Sequence, residues 1–333
     1  GRRRVSPDRP PFGRRFLGGI GRRRERSLDT PSEHGLVGGV SEPTENSGQR
    51  VPVWLWPNVL GLDAPLVAVA WQHLFAATLG LKLRPIEYAV LALVVWVIYS
   101  IDRLVDARRL GQPESAAHRH RFYRDHFGLM ALLTALGAAV AAWQILTVLP
   151  GKIIRPGIML SMFVLVYLFH RIWVRGPILA VLPKEIFSGF VFALGATLIG
   201  FTWTADYSSF FSAEVFWFGV LCAMNCVAIS VWERGHDKGN DPNAIAQLWP
   251  WVTPALAYLS WATAAAATTV AFLARYQAAF PLLAASAAGL LLLAGLASCA
   301  SRLRPASLRV YADAAVLLPA SAFVALTPWD STA

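Results

Sequence analysis

Two pairs of acidic residues are the part of this sequence best suited to chemistry. Asp102 and Asp106 follow the apolar run VVWVIYS, and Glu233 and Asp237 follow the apolar run NCVAISVW. In each pair the residues are four apart, so both side chains lie on one face of a helix, about one turn from each other. Ionisable groups at the end of an apolar, membrane-length helix normally face a polar cavity or the membrane boundary.

The chemistry that such acids support is binding of a hard cation. Mg²⁺ prefers carboxylate oxygens, keeps several waters and commonly bridges to phosphate oxygens. The spacing therefore predicts a Mg²⁺ site made by all four acids, provided that both helix ends lie at the same side of the protein. Residues near the acids that are candidates to contact a phosphorylated substrate are Arg103, Arg109, Lys184, Tyr99 and Asn225.

Each of these five residues also has a structural interpretation. The two arginines are typical of charges that set membrane topology, and Lys184 can pair with its neighbour Glu185 at the interface. Tyr99 can pack against other apolar groups, and Asn225 can form an interhelical hydrogen bond. The sequence leaves both interpretations open.

The composition around the acids is that of a membrane protein. Of the 333 residues, 56% are hydrophobic and 15% are charged, which is too apolar for an ordinary soluble protein. The formal net charge is +10, and ten arginines fall in the first 26 residues. With so apolar a body, this charge favours contact with anionic lipid over nucleic acid.

Two regions follow from this pattern. Residues 1–50 are predicted to form a disordered basic tail, since they are rich in Arg, Gly, Ser, Pro and Glu and lack apolar periodicity. Residues 51–333 are predicted to form one transmembrane domain with about nine helices, because each span of about 20 apolar residues can cross a bilayer. The predicted span cores are 59–80, 86–102, 128–149, 157–173, 179–203, 213–232, 249–273, 279–299 and 310–328.

The positive-inside rule orients this domain. With the tail in the cytoplasm, the loops on its side carry fourteen lysines and arginines, and the opposite loops carry five. The sequence thus predicts a multi-pass protein, of the bacterial inner-membrane type, whose N-terminus and two long polar loops face the cytoplasm.

Three further charged residues are interpreted as structural. Asp63, just before an Ala-Pro pair, is typical of a helix-start cap. Asp313 opens the last span, where it serves the helix start or pairs with Arg309, and it is left out of the predicted site. Arg119 is counted among the lipid-facing charges of the first polar loop.

The segments DRLVD at 102–106 and ERGHD at 233–237 together resemble the two acidic motifs of the UbiA superfamily of intramembrane prenyltransferases. The order of the motifs, their spacing and their common membrane side carry this resemblance, which covers about residues 51–328. The pattern between the motifs is also similar, in Tyr167, His170, Arg171, Lys184 and Glu185.

The resemblance implies a ring of helices around a central cavity and a Mg²⁺-dependent transfer of an isoprenyl group. The donor would be a polyprenyl diphosphate, and the acceptor a small molecule or lipid, often with an aromatic ring. Asp102 and Asp106 match the later acids of the first motif, and Glu233 and Asp237 match the ends of the second. Metal and basic side chains would stabilise the leaving diphosphate, and apolar walls would exclude water.

The sequence departs from the family pattern in its acids. Ile98 and Tyr99 stand where an Asn-Asp pair is usual, and Glu233 stands where Asp is usual. Fewer carboxylates favour weaker Mg²⁺ binding, so a non-catalytic relative that binds an isoprenoid or another lipid is the first alternative. The second alternative is a transporter, which predicts inverted repeats and helices broken near the membrane centre; neither is evident in the sequence.

Replacing Asp102 by Asn tests the predicted metal shell. We expect Asp102→Asn to weaken Mg²⁺-dependent binding of a prenyl diphosphate, because it removes one carboxylate from the shell. Binding measured with and without Mg²⁺ reports this effect. An unchanged affinity would remove Asp102 from the proposed shell.

Overall fold

In the computed structural model, residues 52–109, 118–173, 183–204, 211–234 and 244–326 are described. Within these ranges the secondary structure is helical and contains no β-strand. The predicted disordered tail, 1–50, lies outside the described residues. The α-helices are α1 (Trp56–Leu60), α2 (Asp63–Thr78), α3 (Pro85–Arg109), α4 (His118–Asp125), α5 (Phe127–Val148), α6 (Gly151–Trp173), α7 (Lys184–Thr204), α8 (Ala213–Trp232), α9 (Ile245–Leu248), α10 (Val252–Leu273), α11 (Phe280–Cys299) and α12 (Pro305–Leu326).

The prediction of an all-α, multi-pass membrane protein is confirmed. Among the described residues, seven helices are long and apolar enough to cross a bilayer: α3, α5, α7, α8, α10, α11 and α12. The bent pair at the start of the domain, Val53–Leu60 and Asp63–Thr78, would be an eighth span if both halves cross together. The remaining predicted core, 157–173, falls within α6. The count of nine spans and the cytoplasmic N-terminus stay predictions.

The first predicted span, 59–80, is not one continuous helix. The helices before and after Gly61 meet at an angle of 79°. Gly61 has φ of +72° and ends α1, a left-handed conformation that glycine adopts without a steric penalty. The amide of Leu62 donates to the carbonyl of Pro57 at 2.8 Å and closes the turn. The prediction missed this break because the apolar pattern continues through it.

An aromatic cluster ties the first helices to the later ones. The indole of Trp71 stacks on the ring of Phe218, with centroids 3.9 Å apart, and both side chains are fully buried. Its Nε1 donates to the carbonyl of Val316 at 3.0 Å. These contacts join α2, α8 and α12 in the apolar core, so that the last helix closes against the first part of the domain.

The helix directions bring four helix ends to one end of the bundle. Helix α2 packs against α3 and α12, and α12 packs against α8. Arg103 near the end of α3 lies 4.0 Å from Asp63 at the start of α2, and Arg309 near the start of α12 lies 3.4 Å from Glu233 just after α8. The starts of α2 and α12 therefore lie beside the ends of α3 and α8. This is the end that the arginine distribution predicts to be cytoplasmic, and the charged residues gather there.

Close packing of α7 on α8 depends on Gly189. A Cβ built on Gly189 would lie 2.3 Å from the backbone nitrogen of Ala223, whereas one on Gly295 in α11 would have no atom within 4 Å. We expect Gly189→Ala to lower the free energy of unfolding by about 2 kcal/mol, because the two helices must separate. Gly295→Ala should leave it unchanged or raise it by about 0.5 kcal/mol through helix propensity.

Denaturant titration of both variants in detergent measures this difference. Equal stabilities for Gly189→Ala and Gly295→Ala would contradict the close helix contact.

Candidate functional site

A group of charged and polar side chains gathers where the four helix ends meet. We call it the polar cluster. Its members lie in α2, α3, α4, α8 and α12, and one of them, Glu233, directly follows α8. They are Asp63, Tyr99, Arg103, Arg119, Asn225, Glu233, Arg309 and Asp313.

Glu233 is held by two arginines within the polar cluster. Arg119 donates to both of its carboxylate oxygens, at 2.9 and 2.8 Å, and Nη1 of Arg309 lies 3.4 Å from both. The parallel pair from Arg119 is the bidentate arrangement in which guanidinium binds carboxylate or phosphate most strongly. The expectation that Arg119 is a lipid-facing charge is therefore wrong, since only 11% of its side chain is exposed.

Helix α4 places Arg119 in this position by folding back over the end of the bundle. Tyr123 is fully buried, and its hydroxyl lies 3.2 Å from the hydroxyl of Ser100. Phe122 packs edge-on against Trp56, with ring centroids 5.8 Å apart. The sequence signal for this docking was the aromatic pair at 122–123 inside an otherwise polar segment.

Arg103 is buried, with 4% of the residue exposed. Its Nη1 donates to the carbonyls of Asn58 and Val59 at 2.6 and 3.0 Å, which are acceptors at the C-terminal end of α1. Its Nη2 points toward Asp63, 4.0 Å from Oδ1. Arg103 therefore stabilises the bend between α1 and α2, a role that neither sequence interpretation had assigned to it.

The carboxyl groups of Asp63 and Asp313 lie close enough to interact electrostatically. Asp63 accepts from Nδ2 of Asn58 at 2.7 Å and from the amide of Ala64 at 3.0 Å. Nδ2 of Asn225 lies 3.4 Å from Oδ1 of Asp313. Asp313 interacts electrostatically with Arg309, which is one of the two structural roles predicted for it. Asp63 is the first helical residue of α2, with Leu62 at the cap position. The pairing exists because the starts of α2 and α12 are neighbours.

Of the other predicted contact residues, Tyr99 and Asn225 belong to the polar cluster, and Lys184 begins α7. Tyr99 interacts electrostatically with Asp63, Asp313 and Arg309, and its ring also packs against the apolar contact between α2 and α3. Lys184 is half-buried at the start of α7, where its neighbour Glu185 is buried and accepts the amide of Ile245 at 3.1 Å. Asn225 on α8 forms the predicted interhelical hydrogen bond, with Asp313 on α12, and its contact with a substrate stays a prediction.

The predicted metal ligands are only partly described. Asp102 and Asp106 lie half-buried on the last turns of α3, and each takes part in a hydrogen bond or an electrostatic contact. Asp237 lies outside the described residues, as does the side chain of Arg109. Among the residues that are described, no group of three or more His, Cys, Asp and Glu side chains could hold a metal ion. The four-acid site stays a prediction.

The polar cluster contains charged groups of both signs. It holds three guanidinium groups and three carboxyl groups, Arg103, Arg119 and Arg309 against Asp63, Glu233 and Asp313. Opposite charges that are taken out of water together avoid the cost of an unpaired buried ion.

An apolar pocket of about 230 Å³ lies between α7, α8 and the start of α10. It is lined by Ile186, Phe190, Val220, Ala223, Met224, Val227, Ile245, Trp249, Trp251, Val252 and Leu259. Ile245, whose amide binds Glu185, belongs to its wall. The pocket suits a hydrocarbon chain, since its lining offers no polar surface.

No protein-family model, curated protein or solved structure matches the chain. The resemblance to the UbiA superfamily therefore rests on the sequence motifs alone.

Removing the Arg103 guanidinium tests its structural role. We expect Arg103→Met to lower the free energy of unfolding by about 3 kcal/mol, because two buried carbonyls lose a charged donor. The matched control is Arg108→Met in the same helix, where an exposed guanidinium lies 4.7 Å from the Phe127 ring. Arg108→Met should lower the free energy of unfolding by no more than about 1 kcal/mol.

Denaturant titration compares the two variants under one detergent condition. A loss for Arg103→Met no larger than that for Arg108→Met would contradict the assignment.

Proposed function

We propose that this chain is an intramembrane prenyltransferase, similar to the UbiA superfamily, that transfers an isoprenyl group from a polyprenyl diphosphate to an acceptor. The proposal depends mainly on one observation: Arg119 donates two parallel hydrogen bonds to the Glu233 carboxylate, and Arg309 lies beside it. Guanidinium binds phosphate with the same fork geometry as carboxylate, so a diphosphate that enters the polar cluster has donors already in position.

The arrangement of polar and apolar surfaces supports an amphipathic substrate. The polar cluster lies at one end of a bundle whose helices are apolar enough to cross a bilayer. A prenyl diphosphate has the matching form, a charged head on a hydrocarbon tail, and the pocket beside α7 and α8 is one place suited to such a tail.

Asp102 and Asp106 are the acids best suited to Mg²⁺ in this scheme. They are hard oxygen donors, half-buried and one turn apart on α3. Glu233 is engaged by Arg119, so it would join a metal shell only when that ion pair opens. Bound Mg²⁺ would supply electrostatic stabilisation of the leaving diphosphate.

The chain's own residues have separate tasks in the proposed reaction. Arg119 and Arg309 hold the diphosphate and stabilise the charge that develops as it leaves. The apolar helices around the site exclude the water that would otherwise capture the allylic cation. The site would face the cytoplasm of a bacterial inner membrane, as the arginine distribution predicts, with lipids and small molecules as partners.

Release of diphosphate tests the proposal directly. We expect the purified full chain in lipid nanodiscs to release diphosphate from at least one of farnesyl, geranylgeranyl and longer polyprenyl diphosphates, with Mg²⁺ and not with EDTA. Failure with every donor, with a folded protein, would exclude the prenyltransferase function.

A pair of α4 variants tests the role of Arg119 in that assay. Arg119→Gln should weaken prenyl diphosphate binding about tenfold or more, because a charged bidentate contact is lost. Arg124 lies on the same helix with 38% of its side chain exposed, and Arg124→Gln should change prenyl diphosphate affinity by less than about twofold. Equal affinities for the two variants would remove Arg119 from the diphosphate site.

The non-catalytic lipid-binding alternative is favoured by the ion pairs of the polar cluster. Each of its three guanidinium groups has a carboxyl group beside it, so these charges are met without a metal ion. That alternative expects prenyl diphosphate to bind equally with Mg²⁺ and with EDTA, and no diphosphate to appear. The transporter alternative gains no such support, since the 79° break lies at the end of the bundle where Asp63 joins the polar cluster.

A further inference from the structure

The apolar pocket beside α7 and α8 lies on a different face of α8 from the polar cluster. Val220, Ala223 and Val227 are the parts of its wall with which this face begins. Asn225, which bonds to Asp313 in the polar cluster, lies about 140–160° around the helix from each of the three. The pocket is therefore a separate feature of the molecule.

One basic side chain lies on the same face of α8 as the pocket. Arg234 follows the helix by two residues, and it is seven positions after Val227 and fourteen after Val220. Helical spacing places it within about 40° of both, and places the pocket between about 10 and 20 Å from it along the helix axis. Acyl chains lie at this depth below their phosphate groups, since the hydrocarbon core of a bilayer is about 30 Å thick.

Arg234 has hydrogen-bond donors left for a ligand. Its Nη1 donates to Oγ1 of Thr253 at 3.2 Å, while its Nε is buried and has no acceptor among the described residues. Within the same ranges no carboxylate forms an ion pair with it. Thr253 directly follows Val252, which belongs to the pocket wall. A guanidinium group and a hydroxyl group therefore lie together beside the pocket, and both donate well to phosphate oxygens.

Two tryptophans place this end of the pocket at the membrane interface. Trp249 and Trp251 both line the pocket, and their rings stack with centroids 6.1 Å apart. Trp251 is 57% exposed. Tryptophan is enriched where the hydrocarbon core meets the lipid head groups. A cation and an indole pair above an apolar pocket match a lipid that spans the same boundary.

The charge of Arg234 selects the kind of lipid. A head group with net negative charge neutralises the guanidinium, whereas a zwitterionic head group brings its own cation with it. Anionic lipids are abundant in the cytoplasmic leaflet, which the arginine distribution predicts at this end of the bundle. The tail of a prenyl diphosphate suits the pocket less well, because a head held by Arg119 and Arg309 would lie across α8 from it.

We propose that Arg234, Thr253 and the apolar pocket bind an anionic phospholipid of the bilayer. The phosphate accepts from Arg234, and one acyl chain lies between α7, α8 and α10. The lipid would hold α9 and the start of α10 against α8, since Ile245 and Val252 both line the pocket. This binding requires no prenyl transfer, so the diphosphate-release assay tests the proposed function alone and leaves this site to its own experiment.

Native mass spectrometry of the full chain in detergent measures lipid affinity. With phosphatidylglycerol and phosphatidylcholine of the same acyl chains, we expect phosphatidylglycerol to bind at least about fivefold more tightly. Arg234→Gln should weaken phosphatidylglycerol binding about tenfold, because a charged donor to the phosphate is lost. The matched control is Arg302→Gln, which removes an exposed guanidinium at the same end of the bundle, and it should change that affinity by less than about twofold.

A second pair of variants tests the pocket itself. Leu259 lines the pocket, and Leu273 lies on the same helix with 70% of the residue exposed. Leu259→Trp should weaken binding of both phospholipids about tenfold, because the larger side chain takes the space of buried acyl methylenes. Leu273→Trp should change neither affinity by more than about twofold.

Three results would overturn the proposal. The first is equal affinity of the unmodified chain for the two phospholipids, which would mean that bulk lipid covers the pocket. The second is a phosphatidylglycerol affinity that stays unchanged in both Arg234→Gln and Leu259→Trp. The third is geranylgeranyl diphosphate that displaces bound phosphatidylglycerol and loses affinity in Leu259→Trp, which would assign the pocket to a prenyl tail. Using two variants keeps the test valid if one of them fails to fold.

Discussion

The need to pair buried charges governs the end of this bundle. An unpaired ion out of water costs several kcal/mol, so an arginine or a carboxylate persists among apolar helices only where an opposite charge meets it. Arg119 and Arg309 meet Glu233, and this contact fixes where α4 and α12 lie relative to the end of α8. The location of the polar cluster is therefore a consequence of electrostatics as much as of apolar packing.

The bend between α1 and α2 connects the backbone to this charge network. Arg103 donates to carbonyls at the end of α1 and points its second nitrogen at Asp63, the first residue of α2. One side chain thus holds a turn of the chain and belongs to the polar cluster. A residue in both roles couples the geometry of the site to the stability of the fold, because neither can change without the other.

The proposed function depends on the arginines at one part of the polar cluster. Arg119 and Arg309 lie where a diphosphate can replace the Glu233 carboxylate. A transferase for an amphipathic donor needs positive charge there, since negative charge develops on the leaving group. The apolar bundle around the polar cluster limits competing hydrolysis.

The sequence by itself determined the class of the protein and the extent of its long helices, because runs of about 20 apolar residues and few charges leave the chain no other way to satisfy its backbone in a bilayer. It also singled out Glu233, Tyr99 and Asn225, since polar groups in apolar helices are costly and conspicuous. Only the tertiary structure paired Asp63 with Asp313 and turned Arg119 inward. Those contacts join residues far apart in the chain, and no local spacing encodes which helix ends become neighbours.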